Sequence, residues 1–279
     1  MGAPPYVYLL VSALFHYLGP ACAVLLFREV DVLGVAWLRI ATAAAVFASW
    51  RRPWRHFLGL APRQRRTVVA LGLVLAMMNI CFYLAIDRLP LGTVGAIEFL
   101  GPVALAAAGA RSRRNLTALG LVMGGAWLLS DHRLAGEPLG LALAFANCAL
   151  FVLYIVLGHQ IAQGSDGHRV DRLGAAMIVA LAVATPAGLA GAGKAFSDPR
   201  LLAASVGVGI CSSVIPYVCD QLAMARLPQA TFALWLALLP AVAVIVGALV
   251  LGQIPAAADL GGVILVVTGV ALHQPREDR

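Results

Sequence analysis

The sequence predicts an all-α integral membrane protein with ten transmembrane helices arranged as two inverted five-helix repeats. Three observations predict it. Of 279 residues, 61% are hydrophobic and only 12% charged, with a mean hydropathy of +0.90. A soluble domain carries about 25% charged residues, so a water-facing surface cannot be built from this chain and its solvent is lipid. The apolar residues fall in runs of membrane-crossing length. The chain also repeats itself at a shift of 138 residues.

The runs lie near 6–26, 32–50, 67–86, 91–110, 116–130, 139–158, 173–191, 201–222, 231–251 and 257–273. A helix needs about 20 apolar residues to cross a bilayer. Lipid leaves no partner for an unpaired backbone group, so each run is a helix. The runs are apolar on every face, whereas a membrane barrel shows alternating segments of about ten residues. No basic residue precedes the first run, so it lacks the charged start of a signal peptide and is expected to stay as the first helix. Tyr6 leaves Met1-Gly2 without a complete myristoylation motif. All five cysteines fall inside runs, with no metal-type pair, and no disulfide framework is expected.

Charge sets the orientation. With the amino terminus inside, the inside segments hold Arg51, Arg52, Arg55, Arg63, Arg65, Arg66, Arg111, Arg113, Arg114, Arg169, Arg172, Arg226, Arg276 and Arg279. The outside segments hold Arg28, Arg88, Arg133, Lys194 and Arg200, a ratio of 14 to 5. The positive-inside rule therefore puts both termini in the cytoplasm. Trp50 and Trp54 flank the first basic loop, as aromatic residues do at a membrane interface. The net charge of +7 is thus a topology signal, and nucleic acid is not an expected partner.

The repeat superposes Leu84, Ala85, Arg88, Leu89, Pro90, Thr93, Leu100 and Pro102 on Leu222, Ala223, Arg226, Leu227, Pro228, Thr231, Leu238 and Pro240, eight identities in 19 positions. Two repeats are expected at 1–130 and 139–273, with 274–279 a cytoplasmic tail. Five spans per half is an odd number, so the halves enter the membrane from opposite sides. That is an architecture of secondary transporters, in which similar halves exchange conformations around one central site.

Polar residues within the spans are the candidate site. A charge at the bilayer centre costs about 2.5–3.5 kcal/mol on insertion scales. Arg39 and Glu98 each stand seven residues into an inward-running helix, hence at a common depth of roughly 10 Å. They are placed to meet, either as a packing ion pair or facing a cavity where they contact substrate or a proton. Arg39 also has the fork to hold a substrate carboxylate. His16 and Tyr17 lie mid-helix before Gly19-Pro20. Asn79 and Tyr83 share a face of the third helix, and Asn147 and Tyr154 a face of the sixth. Tyr217 and Asp220 lie on the eighth, with Asp220 near the cytoplasmic end, where a carboxylate reaches water. Such polar stripes serve as interhelical glue or as cavity lining. Gly101, Pro102, Pro216 and Pro240 are candidate gating positions, because proline removes a backbone hydrogen bond and permits bending. Gly120 and Gly124 form a small-residue patch expected to pack helices within the chain.

No phosphate-binding loop, HExxH or Gly-x-Ser-x-Gly elbow is present, so neither ATP drive nor a familiar hydrolase is expected, and no cofactor or metal is implied. Any energy comes from a gradient.

Phe82-Tyr83-Leu84-Ala85-Ile86, Leu89-Pro90-Leu91-Gly92-Thr93 and Glu98-Phe99-Leu100-Gly101-Pro102 resemble the drug/metabolite transporter superfamily, EamA type, and within it the threonine/homoserine exporter branch. Pro216-Tyr217, Arg226-Leu227-Pro228 and Leu251-Gly252 continue the likeness. The resemblance implies ten helices, a central cavity and efflux of amino acids or related metabolites from the bacterial inner membrane. It also marks departures. Leu239 stands where members often carry Glu, Gln253 replaces the Glu after the ninth helix, and Asp220 stands for a Glu. Coupling is thereby concentrated on Glu98 and Asp220. The expected function is secondary active export by alternating access, with Glu98 exchanging between binding a proton and pairing with Arg39. The expected partners are the lipid bilayer, a small-molecule substrate and protons, with the chain a monomer. The alternatives are an uncoupled uniporter or exchanger of amphipathic metabolites or drugs, and a membrane protein of receptor-like or enzymatic role.

Overall fold

Proline opens four of the helices at their first position, where its missing N–H is not needed: α1 (Pro5–Leu26), α4 (Pro62–Ile86), α7 (Pro138–Ala162) and α10 (Pro199–Gly209). Asp31 and Asp198 cap α2 (Val32–Arg51) and α10 by accepting from their first N–H groups. The remaining helices are α3 (Trp54–Gly59), α5 (Leu91–Ala108), α6 (Arg113–Leu129), α8 (Arg169–Gly188), α9 (Gly193–Ser197), α11 (Ile215–Met224), α12 (Leu239–Leu251) and α13 (Ala257–Leu272). This computed structural model describes residues 4–108, 113–129, 137–163, 168–229 and 239–272, with Phe232 and Leu236. Among the described residues all regular structure is helical.

Six helical segments are long and apolar enough to cross a membrane: α1, α2, α4, α7, α8 and the continuous segment Pro199–Met224 that joins α10 to α11. Val242–Leu251 and Leu260–Gly269 are shorter apolar stretches. Each apolar run of the sequence has a helix in it, with different bounds. The run at 67–86 begins at Pro62, because the exposed Arg63, Arg65 and Arg66 extend α4 beyond its apolar part. The run at 173–191 is a helix from Arg169 to Gly188. The basic loop after α2 contains α3, and the run at 201–222 is interrupted by a π turn over Ile210–Val214. Helix ends are polar, so an apolar run marks the middle of a helix better than its limits. Apart from Phe232 and Leu236, the described part of the ninth run starts at Leu239. Thr231, Leu238, Arg111, Arg133 and the tail 274–279 lie outside the described residues.

The exterior is apolar. Leu10, Leu14, Met77, Ile245 and Ile264 are exposed, and Leu249 is 81% exposed. In water such a surface would aggregate; in hydrocarbon it is the solvated one. Inside, α1 packs on α10, the π turn, α11 and α12, while α7 packs on α4 and α5. Helix α2 lies on α8, and α6 on α13. Close approach relies on absent side chains at Gly19, where a Cβ would strike Ser212, and at Gly34, where it would strike Gly191. The small-residue patch is different: among the described residues a Cβ on Gly120 meets nothing within 4 Å and one on Gly124 meets Leu265 at 3.9 Å.

Contacts at the bundle ends join segments of like predicted side. Arg51 pairs with Asp171, Arg226 lies over the Tyr8 ring, and Arg114 donates to the Leu272 carbonyl. At the other end, Lys194 pairs with Glu29, and the Leu91 N–H donates to the Gln253 side chain, which thereby caps α5. Gly252 makes that cap possible with φ +64°, a left-handed conformation that suits glycine.

Candidate functional site

The polar residues of the spans converge in the middle of the bundle. His16, Arg39, Asn79, Glu98, Asn147 and Tyr217 line one chamber together with Met78 and Phe82. Its volume is about 10 Å³, room for about one water molecule. All six are buried.

Glu98 is held by neutral donors. The Tyr17 hydroxyl donates to Oε2 at 2.9 Å and the Asn147 amide to Oε1 at 2.8 Å. His16 Nε2 lies 3.6 Å from Oε2. Gly95, one turn earlier on α5, makes this reach possible, since a Cβ there would sit 2.9 Å from the Tyr17 oxygen.

Arg39 does not pair with Glu98, which removes the ion-pair alternative for these two charges. Its Nε donates to Ser213 Oγ at 2.7 Å and its Nη2 to the Ser212 carbonyl at 2.6 Å, with the guanidinium 5.2 Å from the Tyr83 ring centroid. The reason is local. Pro216 has no N–H to offer the carbonyl four residues before it, that of Ser212. The chain makes a π turn there, a feature frequent at functional sites, and the guanidinium takes the carbonyl that proline leaves. Arg39 and Glu98 thus face one chamber with separate partners.

Asn79 donates to the Leu75 carbonyl at 2.7 Å and to the Tyr217 hydroxyl at 3.2 Å. The Asn79 and Asn147 carbonyl oxygens and the Tyr83 hydroxyl are buried without a hydrogen-bond partner among the described residues. Such groups cost roughly 1–3 kcal/mol each unless something bonds to them.

Asp220 is a correction. It does not reach water; it is 2% exposed, with Ser12 Oγ donating to Oδ1 at 2.5 Å and the Tyr154 hydroxyl to Oδ2 at 2.8 Å. Packing of α1 and α7 over α11 closes the way to solvent. Of the gating candidates, Gly101 marks a close approach of α5 to α7, where a Cβ would stand 2.9 Å from the Cys148 carbonyl. Pro102 is buried inside α5, Pro216 opens α11, and Pro240 is the second residue of α12 as described. Ser12, Ser212, Ser213 and Met78 join the site without a strong mark in the sequence. The only signals are Ser12 four residues before His16 and the Ser-Ser pair ahead of Pro216.

Two curated relatives settle the family. The threonine/homoserine exporter RhtA of Salmonella typhimurium (strain LT2) is 31% identical over 252 residues, covering 89% of this chain and 84% of the relative. The threonine/homoserine exporter RhtA of Escherichia coli (strain K12) is 31% identical over 255 residues, with the same coverage. The EamA-like transporter family also matches directly over residues 138–273. The chain belongs to the EamA-like transporter family. This EamA-like protein shares its fold with a solved structure at 18% identity and a TM-score of 0.65, covering 96% of both chains. As a family member it is a multi-pass membrane transporter of a small molecule, not an enzyme. It is part of the drug/metabolite transporter superfamily, as its Phe82–Pro102 tract suggested.

Proposed function

We propose that this protein is a secondary exporter in a bacterial inner membrane, moving an amino acid or a close derivative outward by alternating access. Ten membrane helices form two inverted repeats, 1–130 and 139–273, with both termini cytoplasmic and the chain acting as a monomer. The observation that carries the reading is the buried chamber that Glu98 and Arg39 share. An amino-acid zwitterion brings a carboxylate that suits a guanidinium and an ammonium that suits Glu98 and the unpaired Asn79 and Asn147 oxygens. The relatives' own name, threonine/homoserine exporter, agrees with that chemistry.

The packing supports the repeat. The first helix of each half leans on the third and fourth helices of the opposite half, and the second and fifth helices pair with their counterparts. Asn79 and Tyr217, 138 residues apart, bond to each other, as equivalent residues near a pseudo-two-fold axis would. Segments assigned to one side contact one another at the bundle ends, which supports the alternating topology. The chamber has room for about one water, so in this reading alternate opening widens it to admit the substrate.

Glu98 is the coupling group in this reading. In proteoliposomes loaded with labelled threonine or homoserine, wild-type protein should export faster under an imposed pH gradient, and Glu98→Gln should lose that dependence. Transport insensitive to the gradient in the wild type would favour the uniporter or exchanger, a reading to which the separate anchoring of Arg39 lends weight. Transport of neither amino acid in any condition would overturn the substrate class.

A further inference from the structure

Beside the chamber stands a second buried carboxyl with its own cage. Asp220 does not line the chamber, and among the described residues no cation pairs with it. Its two partners are hydroxyls, from Ser12 on α1 and Tyr154 on α7. A hydroxyl donates to a carboxylate and, after rotating, accepts from a carboxylic acid. The cage therefore satisfies Asp220 with or without a proton. Glu98 has one such hydroxyl, from Tyr17, and one amide N–H, from Asn147, that only donates.

The two cages are built from the same helices. From α1, Tyr17 serves Glu98 and Ser12 serves Asp220; from α7, Asn147 serves Glu98 and Tyr154 serves Asp220. His16 sits between Ser12 and Tyr17 in sequence and lies 3.6 Å from Glu98. The other titratable groups that interact with Asp220 are Tyr154 from α7 and Tyr217 and Cys219 on its own helix. From the π turn and α8, also packed on α11, no titratable group acts on it among the described residues.

We infer that Asp220, Ser12 and Tyr154 form a proton-binding site separate from the substrate chamber, built on the same two helices that hold Glu98. This deepens the proton-coupled reading above and rests on it for its role in transport, although proton binding itself is independent of any substrate.

The test reads protonation directly. Infrared difference spectra of the purified full chain in lipid vesicles are recorded as bath pH is stepped across the physiological range. The wild type should show a carboxylic C=O band that Asp220→Asn removes and Glu98→Gln retains. Tyr154→Phe, which keeps the carboxyl, should shift that band without abolishing it, and so guards against a variant that merely misfolds. No Asp220-dependent band at any pH, or no shift with Tyr154→Phe, overturns the site. So does loss of the band when sodium replaces choline at constant pH, since the site would then take a metal cation. Failure of threonine efflux alongside an intact band would sink the export reading and leave the proton site standing.

Discussion

Where α2 stops and α8 starts, Asp171 takes both nitrogens of the Arg51 fork, at 2.7 and 3.2 Å, and the His168 ring at 2.7 Å. In the middle of the bundle, Glu98 takes a tyrosine hydroxyl and an asparagine amide. Both carboxyls are buried, yet one is forked by an arginine and the other is bonded by two neutral groups, with the His16 ring 3.6 Å away. A buried charge that must persist needs an opposite charge beside it. A group whose charge is to come and go is better served by partners that do not fix it. The edge of the bundle, where Arg51 is a third exposed, can supply cations that still reach water. In the centre, the Arg39 guanidinium is committed to the carbonyl that Pro216 leaves unpaired.

If that contrast is right, the two acids should fail in different ways. Glu98→Gln should cut gradient-driven efflux about tenfold or more, equivalent to ~1.4 kcal/mol, while leaving the thermal midpoint in detergent unchanged. An equal loss of stability and transport would break the comparison. Next in size, Arg39→Lys keeps the charge but cannot place a fork on both Ser213 and the Ser212 carbonyl. A loss of about 1–2 kcal/mol in stability should follow, measured as a lowered unfolding midpoint. An unchanged midpoint would show that the fork is not what holds the π turn. Asp171→Asn should cost about 1 kcal/mol in stability, since one partner is partly solvated, with the pH dependence of efflux intact. A lost pH dependence there would move coupling to the edge. The smallest effect belongs to Tyr17→Phe, where removing one neutral hydrogen bond worth about 0.5–1 kcal/mol should slow efflux a few-fold. A fully active variant would remove Tyr17 from the cage.

Much of the site is legible in the residue order. A charge or amide inside a lipid-crossing run is expensive, so Arg39, Glu98, Asn79 and Asn147 stand out by position alone, and all four line the chamber. Their partners are not legible there. Arg39 and Glu98 share a depth, which suggests a pair, but depth says nothing of direction around a helix axis. Asp220 lies near the end of its run, which suggests water, but α1 and α7 close over it. The serines that complete both arrangements are small, common and unremarkable in a helix.

The sequence by itself determined the solvent, the helical class and the identity of the intramembrane polar residues. Each of these follows from transfer energies that depend on residue type and run length alone. Only the tertiary structure decided who bonds to whom: Arg39 to the π turn, Glu98 to Tyr17 and Asn147, Asp220 to Ser12 and Tyr154. Helices apolar on every face carry no mark of which side turns inward, so their rotation, and every side-chain pairing that depends on it, is set by packing against neighbours.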